Sequence, residues 1–81
     1  MILVLAAALA LPRPVQAFLD RRESCLHFAG EEAYDEDRAR FLADRLGELR
    51  CDKLDAAARR LRRIYVKRRD VLEALAKSPD E

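Results

Sequence analysis

The back half of the chain carries an apolar spacing that is typical of a packed α-helix. The residues that would form the packed side of this helix, called the seam below, follow one another in steps of four and three, which places their side chains on one side of a helix. Arg68 interrupts the seam, but its aliphatic stem can lie along the helix while the guanidinium reaches water. A helix is therefore predicted from near Asp52 to Ser78, where Pro79 ends it. The seam residues are Leu54, Ala58, Leu61, Tyr65, Arg68, Leu72 and Leu75.

A second helix is predicted from Asp35 to Leu49, with the Asp35 carboxylate as its N-cap. The next apolar seam residue, Leu54, lies five positions after Leu49, a step that matches neither the three-residue nor the four-residue spacing of one helix face. We therefore expect a tight turn between the two helices and an antiparallel hairpin. The alternative is one continuous helix from Asp35 to Lys77, which would leave two apolar stripes with nothing to cover them.

Composition favours an all-α fold in one small domain. The chain has 81 residues but only two glycines and three prolines, which leaves little turn chemistry for a many-stranded β fold. A modest helical segment is predicted from Phe18 to about Leu26. The expected fold is a small helical hairpin with this short N-terminal helical segment packed beside it.

Residues 1–17 are predicted to be a secretory signal peptide. Residues 2–11 form an unbroken apolar run that is too short to span a bilayer but matches the apolar region of such a signal, although no basic residue precedes it. Val15 and Ala17 suit the −3 and −1 positions of a cleavage site, so residues 18–81 would form the mature domain. The alternative is a buried N-terminal helix of a cytosolic protein.

Cys25 and Cys51 are expected to pair, because two cysteines in a small exported chain most simply form one disulfide. The bond would close a loop of about 27 residues and stabilise the domain by roughly 3.5 kcal/mol. A zinc site or a nucleophilic Cys–His pair that uses His27 is less favourable, because the ligand spacing is poor and the chain has little room for a cleft. No cofactor and no metal are expected.

The predicted disulfide constrains the connection before the second helix. That helix would be about 22 Å long, whereas bonded cysteines need Cα atoms within about 7 Å. An extended run of about seven or eight residues covers the difference. We therefore predict that residues 27–34 are non-helical and lie along the second helix. There Phe28 and Tyr34 would cover its apolar stripe, and residues 30–32 would face water.

Charge is unevenly distributed along the chain. Without Arg13, the 15 basic residues balance the 15 acidic ones, which argues against a nucleic-acid binder. A dense basic run in the third helix is most simply a solvated face that the acidic second helix balances. The alternative is a site for an anionic polymer, a lipid headgroup or an acidic protein. Its candidate interaction face is Arg59, Arg60, Arg63 and Lys67.

Two resemblances accompany these patterns. The run from Cys25 to Asp35, followed by Cys51, resembles small exported bacterial proteins of uncharacterised function that carry Cys-x-His-aromatic-x-Gly-Glu-Glu, Tyr-Asp and a second Cys. This resemblance implies export and a disulfide but no activity. The Leu61-x-x-x-Tyr65 pair after Cys51 is similar to the helical domain of LprI-type lysozyme inhibitors, which usually have more cysteines.

The sequence thus predicts a non-enzymatic exported protein, periplasmic or secreted, that serves as an envelope interaction or structural module. Its partner would be a protein or an anionic envelope component, and its mature chain would have no transmembrane segment. One alternative is an inhibitor of a cell-wall hydrolase such as lysozyme. Another is a cytosolic nucleic-acid-binding helical protein that uses the basic run.

Overall fold

The computed structural model describes residues 10–77 as a helical protein, with no β-strand among them. The predicted all-α fold with a helical hairpin and one disulfide is confirmed. Most of the predicted signal peptide, residues 1–9, and the predicted helix stop at Ser78-Pro79 lie outside the described range. The elements are α1 (Arg13–Ala29), α2 (Glu36–Glu48), a 3-10 helix (Cys51–Lys53), α3 (Leu54–Ile64) and α4 (Arg69–Ala76).

Helix α1 is longer than the segment predicted from Phe18 to Leu26. It begins at Arg13 because Pro14 lies in its first turn, where the fixed proline φ suits a helix and the missing N–H is not needed. It continues to Ala29 and passes without a break through the predicted cleavage point after Ala17. Within residues 10–77, no helix has the length and apolar character that crossing a membrane requires.

The main buried cluster joins the two ends of the chain. Val15 and Phe18 of α1 pack with Leu61 of α3 and with Val71 and Leu75 of α4. Val15 and Val71 have no exposed surface. Burying a side chain of this size contributes about 1.5–3 kcal/mol. The cluster therefore depends on a residue that lies before the predicted start of the mature domain.

The single helix predicted from Asp52 to Ser78 is wrong, because the chain turns between α3 and α4. Arg68 has an extended backbone, with φ −101° and ψ 98°. Its guanidinium donates hydrogen bonds of 2.9 and 2.7 Å to the two carboxylate oxygens of Asp70 in the first turn of α4. These bonds, helped by the Val71 N–H, hold the pKa of Asp70 below its ordinary value. The turn brings α4 back against α1, which a straight helix would not do.

An arginine of α1 also holds the end of α4. Arg22 donates hydrogen bonds of 3.1 and 3.0 Å to the carbonyl oxygens of Leu75 and Lys77. The Leu75 carbonyl lies in the last turn of α4 and the Lys77 carbonyl just beyond it, where neither has a partner within the helix itself. Arg22 therefore ties the C-terminal helix to α1 beside the buried cluster.

Helices α1 and α2 are antiparallel, and they are held together by an aromatic contact and by a disulfide from α1 to the 3-10 helix that follows α2. Cys25 and Cys51 are bonded, with their Cα atoms 5.7 Å apart. One helical turn further along α1, the ring centroid of Phe28 lies 6.2 Å from that of Phe41. The Asp35 cap is confirmed, because its carboxylate accepts a 2.7 Å hydrogen bond from the backbone N–H of Arg38.

The connection between these helices is shorter than predicted. Residues 27–29 belong to α1, so the non-helical segment covers only residues 30–35. Six residues suffice because α1 itself carries the chain part of the way along α2. Tyr34 is 81% exposed and does not cover the apolar stripe of α2, which corrects a second part of the prediction. Glu31 is half-buried rather than facing water. Its carboxylate forms an ion pair with Arg38 and lies beside the His27 ring.

Removal of the disulfide should strongly destabilise the domain. The cysteines are separated by 26 positions, and the bond between them restricts the unfolded chain. The double variant Cys25→Ala, Cys51→Ala should therefore have a free energy of unfolding about 3.5 kcal/mol lower than wild type, as measured by urea denaturation. The reduced wild-type protein controls for loss of the sulfur atoms and should show a similar decrease. A decrease below about 1 kcal/mol in both would contradict this role.

Truncation tests how far the fold depends on the start of α1. A chain beginning at Phe18 should unfold with a free energy about 2–3 kcal/mol lower than one beginning at Leu11, because it lacks the buried Val15. In the longer chain, Val15→Ala should reproduce part of the loss. Gln16→Ala changes an exposed side chain and should leave stability unchanged. Equal stability of the two chains would show that Val15 is dispensable.

Candidate anion-binding surface

The arginines of α2 are all paired with acidic residues, most of them on the same helix. These contacts neutralise much of the charge on α2, and two of them join residues three positions apart, where helical side chains are neighbours. The pairs are Arg38 with Glu31, Arg40 with Asp37 at 3.1 Å, and Arg45 with Glu48 at 2.7 Å.

The arginines of α3 differ from those of α2 in this respect. Arg59, Arg60, Arg62 and Arg63 are all exposed, and none of them forms a salt bridge with an acidic residue in the described range. The acids of α2 that form salt bridges do so with arginines of α2. No ion pair within residues 10–77 therefore connects the basic helix to the acidic one.

The four residues of the predicted interaction face are all exposed, on α3 or just after it. Arg59 lines a cleft beside Leu75 and Asp55, whereas Arg60 faces the other side, towards Arg21 of α1. Arg63 is exposed on α3, and Lys67 lies beyond the helix, in the turn that leads to α4. Only Arg60 belongs to a denser group of cations.

This denser group is a shallow basic pocket of about 270 Å³ on one side of α3. Its walls come from α1, from the turn after α2, from the 3-10 helix and from α3, while Ala56 and Ala57 leave room at its base. The described lining contains no Asp or Glu. Its cations are Arg21, Arg50, Lys53 and Arg60.

Sequence reasoning missed three of these cations because they lie far apart in the chain. The available signal was the predicted disulfide. Arg21 lies one helical turn before Cys25, and Arg50 immediately precedes Cys51. A bond between the cysteines therefore also brings Arg21 close to Arg50, and the Arg21 Nη2 donates a 3.5 Å hydrogen bond to the Arg50 carbonyl oxygen.

Arg50 occupies a backbone conformation that favours glycine. It has φ 55° and ψ 49°, the left-handed region, and it is the only residue with positive φ in the described range. Its N–H donates to the Gly47 carbonyl at 3.1 Å, which closes the end of α2. The left-handed conformation costs a residue with a Cβ about 1–2 kcal/mol. A long cationic side chain is therefore present where local backbone preference opposes it.

His27 takes part in an ordinary surface contact. Its Nε2 lies 3.2 Å from a carboxylate oxygen of Glu31, one helical turn further along the chain. Among the residues described, no three His, Cys, Asp or Glu side chains are grouped so that they could hold a metal ion. The thiol of Cys25 is committed to the disulfide.

Comparison with protein-family models, curated proteins and solved structures found no match for this chain. The resemblances to small exported proteins and to LprI-type inhibitors therefore stay predictions. The arrangement of charges within the structure is the remaining source for a functional proposal.

Proposed function

We propose that the protein is exported and works without catalysis, by binding an anionic component of the cell envelope through the cations of α3. The observation that carries the proposal is the contrast between two neighbouring helices. The arginines of α2 are paired with acids, whereas those of α3 have no such partner among residues 10–77. Unpaired cations close together on one helix repel each other and attract anionic surfaces.

The disulfide supports the export part of this proposal. Such bonds persist in oxidising compartments such as the bacterial periplasm and are rare in the cytosol. The bond between Cys25 and Cys51 joins two segments of a protein with a small core. The apolar run of residues 2–11 supplies the corresponding targeting signal.

The burial of Val15 bears on where the signal would be cut. A cut after Ala17 would remove Val15 and the first turn of α1. A cut that keeps all of α1 has to fall before Arg13, next to or inside the apolar run of residues 2–11, which leaves little room for a separate cleavage region. The first residue of the exported protein therefore decides whether the mature domain keeps Val15 in its core.

The intact mass of the exported protein tests this processing. Expression of the full sequence in a bacterium should yield an extracytoplasmic species that has lost the apolar run and is lighter by two hydrogens than the dithiol. A species that begins at Phe18 would support the cut after Ala17, whereas one that begins before Arg13 would keep export and retain Val15. An intact Met1 with free thiols would contradict export and favour the cytosolic alternative.

Neutralisation of α3 tests the binding surface. The double variant Arg59→Gln, Arg63→Gln should bind phosphatidylglycerol vesicles at least about tenfold more weakly, since each basic residue near an anionic membrane contributes about 1 kcal/mol. Its stability should change by no more than about 1 kcal/mol, because both side chains are exposed. Vesicle sedimentation and thermal melting measure the two effects.

A matched control removes the same charge elsewhere. The double variant Arg40→Gln, Lys77→Gln changes two exposed side chains outside α3 and should bind the vesicles nearly as well as wild type. If wild-type protein ignores phosphatidylglycerol vesicles, or if both double variants lose binding equally, the cations of α3 are a solvated face without a specific role.

A further inference from the structure

The groove between α1 and α3 is apolar at one end. It has a volume of about 480 Å³ and is lined there by Ala17 and Phe18 of α1 and by Leu61 and Ile64 of α3. Ile64 is 59% exposed, which is unusual for an isoleucine beside a buried cluster. The groove is therefore open to solvent along an apolar strip.

The other end of the same groove is cationic. Arg21, Ala57 and Arg60 line both the apolar groove and the basic pocket, so the two are continuous. Beyond these shared residues lie Arg50 and Lys53. No Asp or Glu is among the described residues that line either part, so the four converging cations gain charge compensation only from outside the groove.

The backbone at Arg50 adds an independent observation. A glycine at this position would relieve the left-handed conformation, but a glycine would also remove one of the four cations from the pocket. Local preferences are commonly broken at functional sites, where the unfavourable residue has another role. The Arg50 side chain has such a role if it contributes to binding an anion.

We infer that this groove binds a phosphate-bearing amphiphile with one alkyl or acyl chain. The phosphate would lie among Arg21, Arg50, Lys53 and Arg60, whose guanidinium and ammonium groups suit phosphate oxygens. The chain would lie along the strip that ends at Ile64. The inference rests on the proposed function and narrows it from an anionic surface to a single ligand class.

Charge complementarity distinguishes this occupant from others. An apolar strip alone would equally suit a side chain of another protein or a second copy of this one. The cationic end disfavours these occupants, because an apolar partner would bury Arg21 and Arg60 without a counter-charge. A molecule that is anionic at one end and apolar at the other satisfies both parts of the groove.

Three soluble probes separate the contributions of head and tail. Octyl phosphate, used below its micelle concentration, carries both parts, whereas inorganic phosphate has only the head and octyl glucoside only the tail. Isothermal titration calorimetry should show one saturable site for octyl phosphate, with at least tenfold higher affinity than for either other probe. Inorganic phosphate binding as tightly as octyl phosphate would overturn the role of the apolar strip.

Two variants assign the site to its residues. Arg50→Gly should weaken octyl phosphate binding at least fivefold while the melting temperature stays the same or rises, since the left-handed backbone is relieved. Arg62→Gln removes an α3 cation that lines the other cleft and should change the affinity less than twofold. Unchanged affinity in Arg50→Gly, or an equal loss in Arg62→Gln, would overturn the proposed site.

Vesicle binding distinguishes this inference from the proposed function. Binding to phosphatidylglycerol vesicles without a site for octyl phosphate would leave the proposed function standing and overturn the groove. A saturable octyl phosphate site without vesicle binding would support the groove and overturn the proposed binding of anionic envelope surfaces. A dimer that Ile64→Ser dissociates and octyl phosphate does not would show that a second copy occupies the strip.

Discussion

The bond between Cys25 and Cys51 is the constraint on which the arrangement of the four helices depends. Within residues 10–77, the main buried cluster draws its side chains from α1, α3 and α4. Helix α2 lies outside this cluster, and its one buried residue, Leu42, is separate from it. The disulfide joins α1 to the segment between α2 and α3, and so holds both parts together. Without it, α2 would be held by the packing of Leu42 and by contacts such as that of Phe28 with Phe41.

The same geometry explains the division of charge between the helices. Helix α2 lies close to the connection before it, so Glu31 and the acids of α2 itself can reach its arginines. Helix α3 lies against α1, and its only acidic residue, Asp55, is in its first turn. Chain topology thus keeps the cations of α3 away from the acidic half of the sequence, although the overall formal charge is only +1.

Local patterns predicted the features that local physics controls. Asp35 caps α2 because a carboxylate at that position can accept a backbone N–H, which requires no knowledge of the rest of the fold. The prediction of one continuous third helix failed at Arg68. There a cation interrupted the apolar spacing, and Asp70, two residues later, was available to bind it. The basic pocket had no local signal, because Arg21 and Arg60 come from different elements that only tertiary packing brings together.

The location of the core at the two ends of the chain determines when the protein can fold. Val15 is near the start of the described range, and Val71 and Leu75 are near its end. A helix as short as α4 is marginal in water by itself, so it forms by packing on α1. During synthesis, the apolar side of α1 must wait for the last helix to leave the ribosome. A chain whose core draws on both of its ends cannot bury Val15 and Phe18 against α4 until its synthesis is nearly complete.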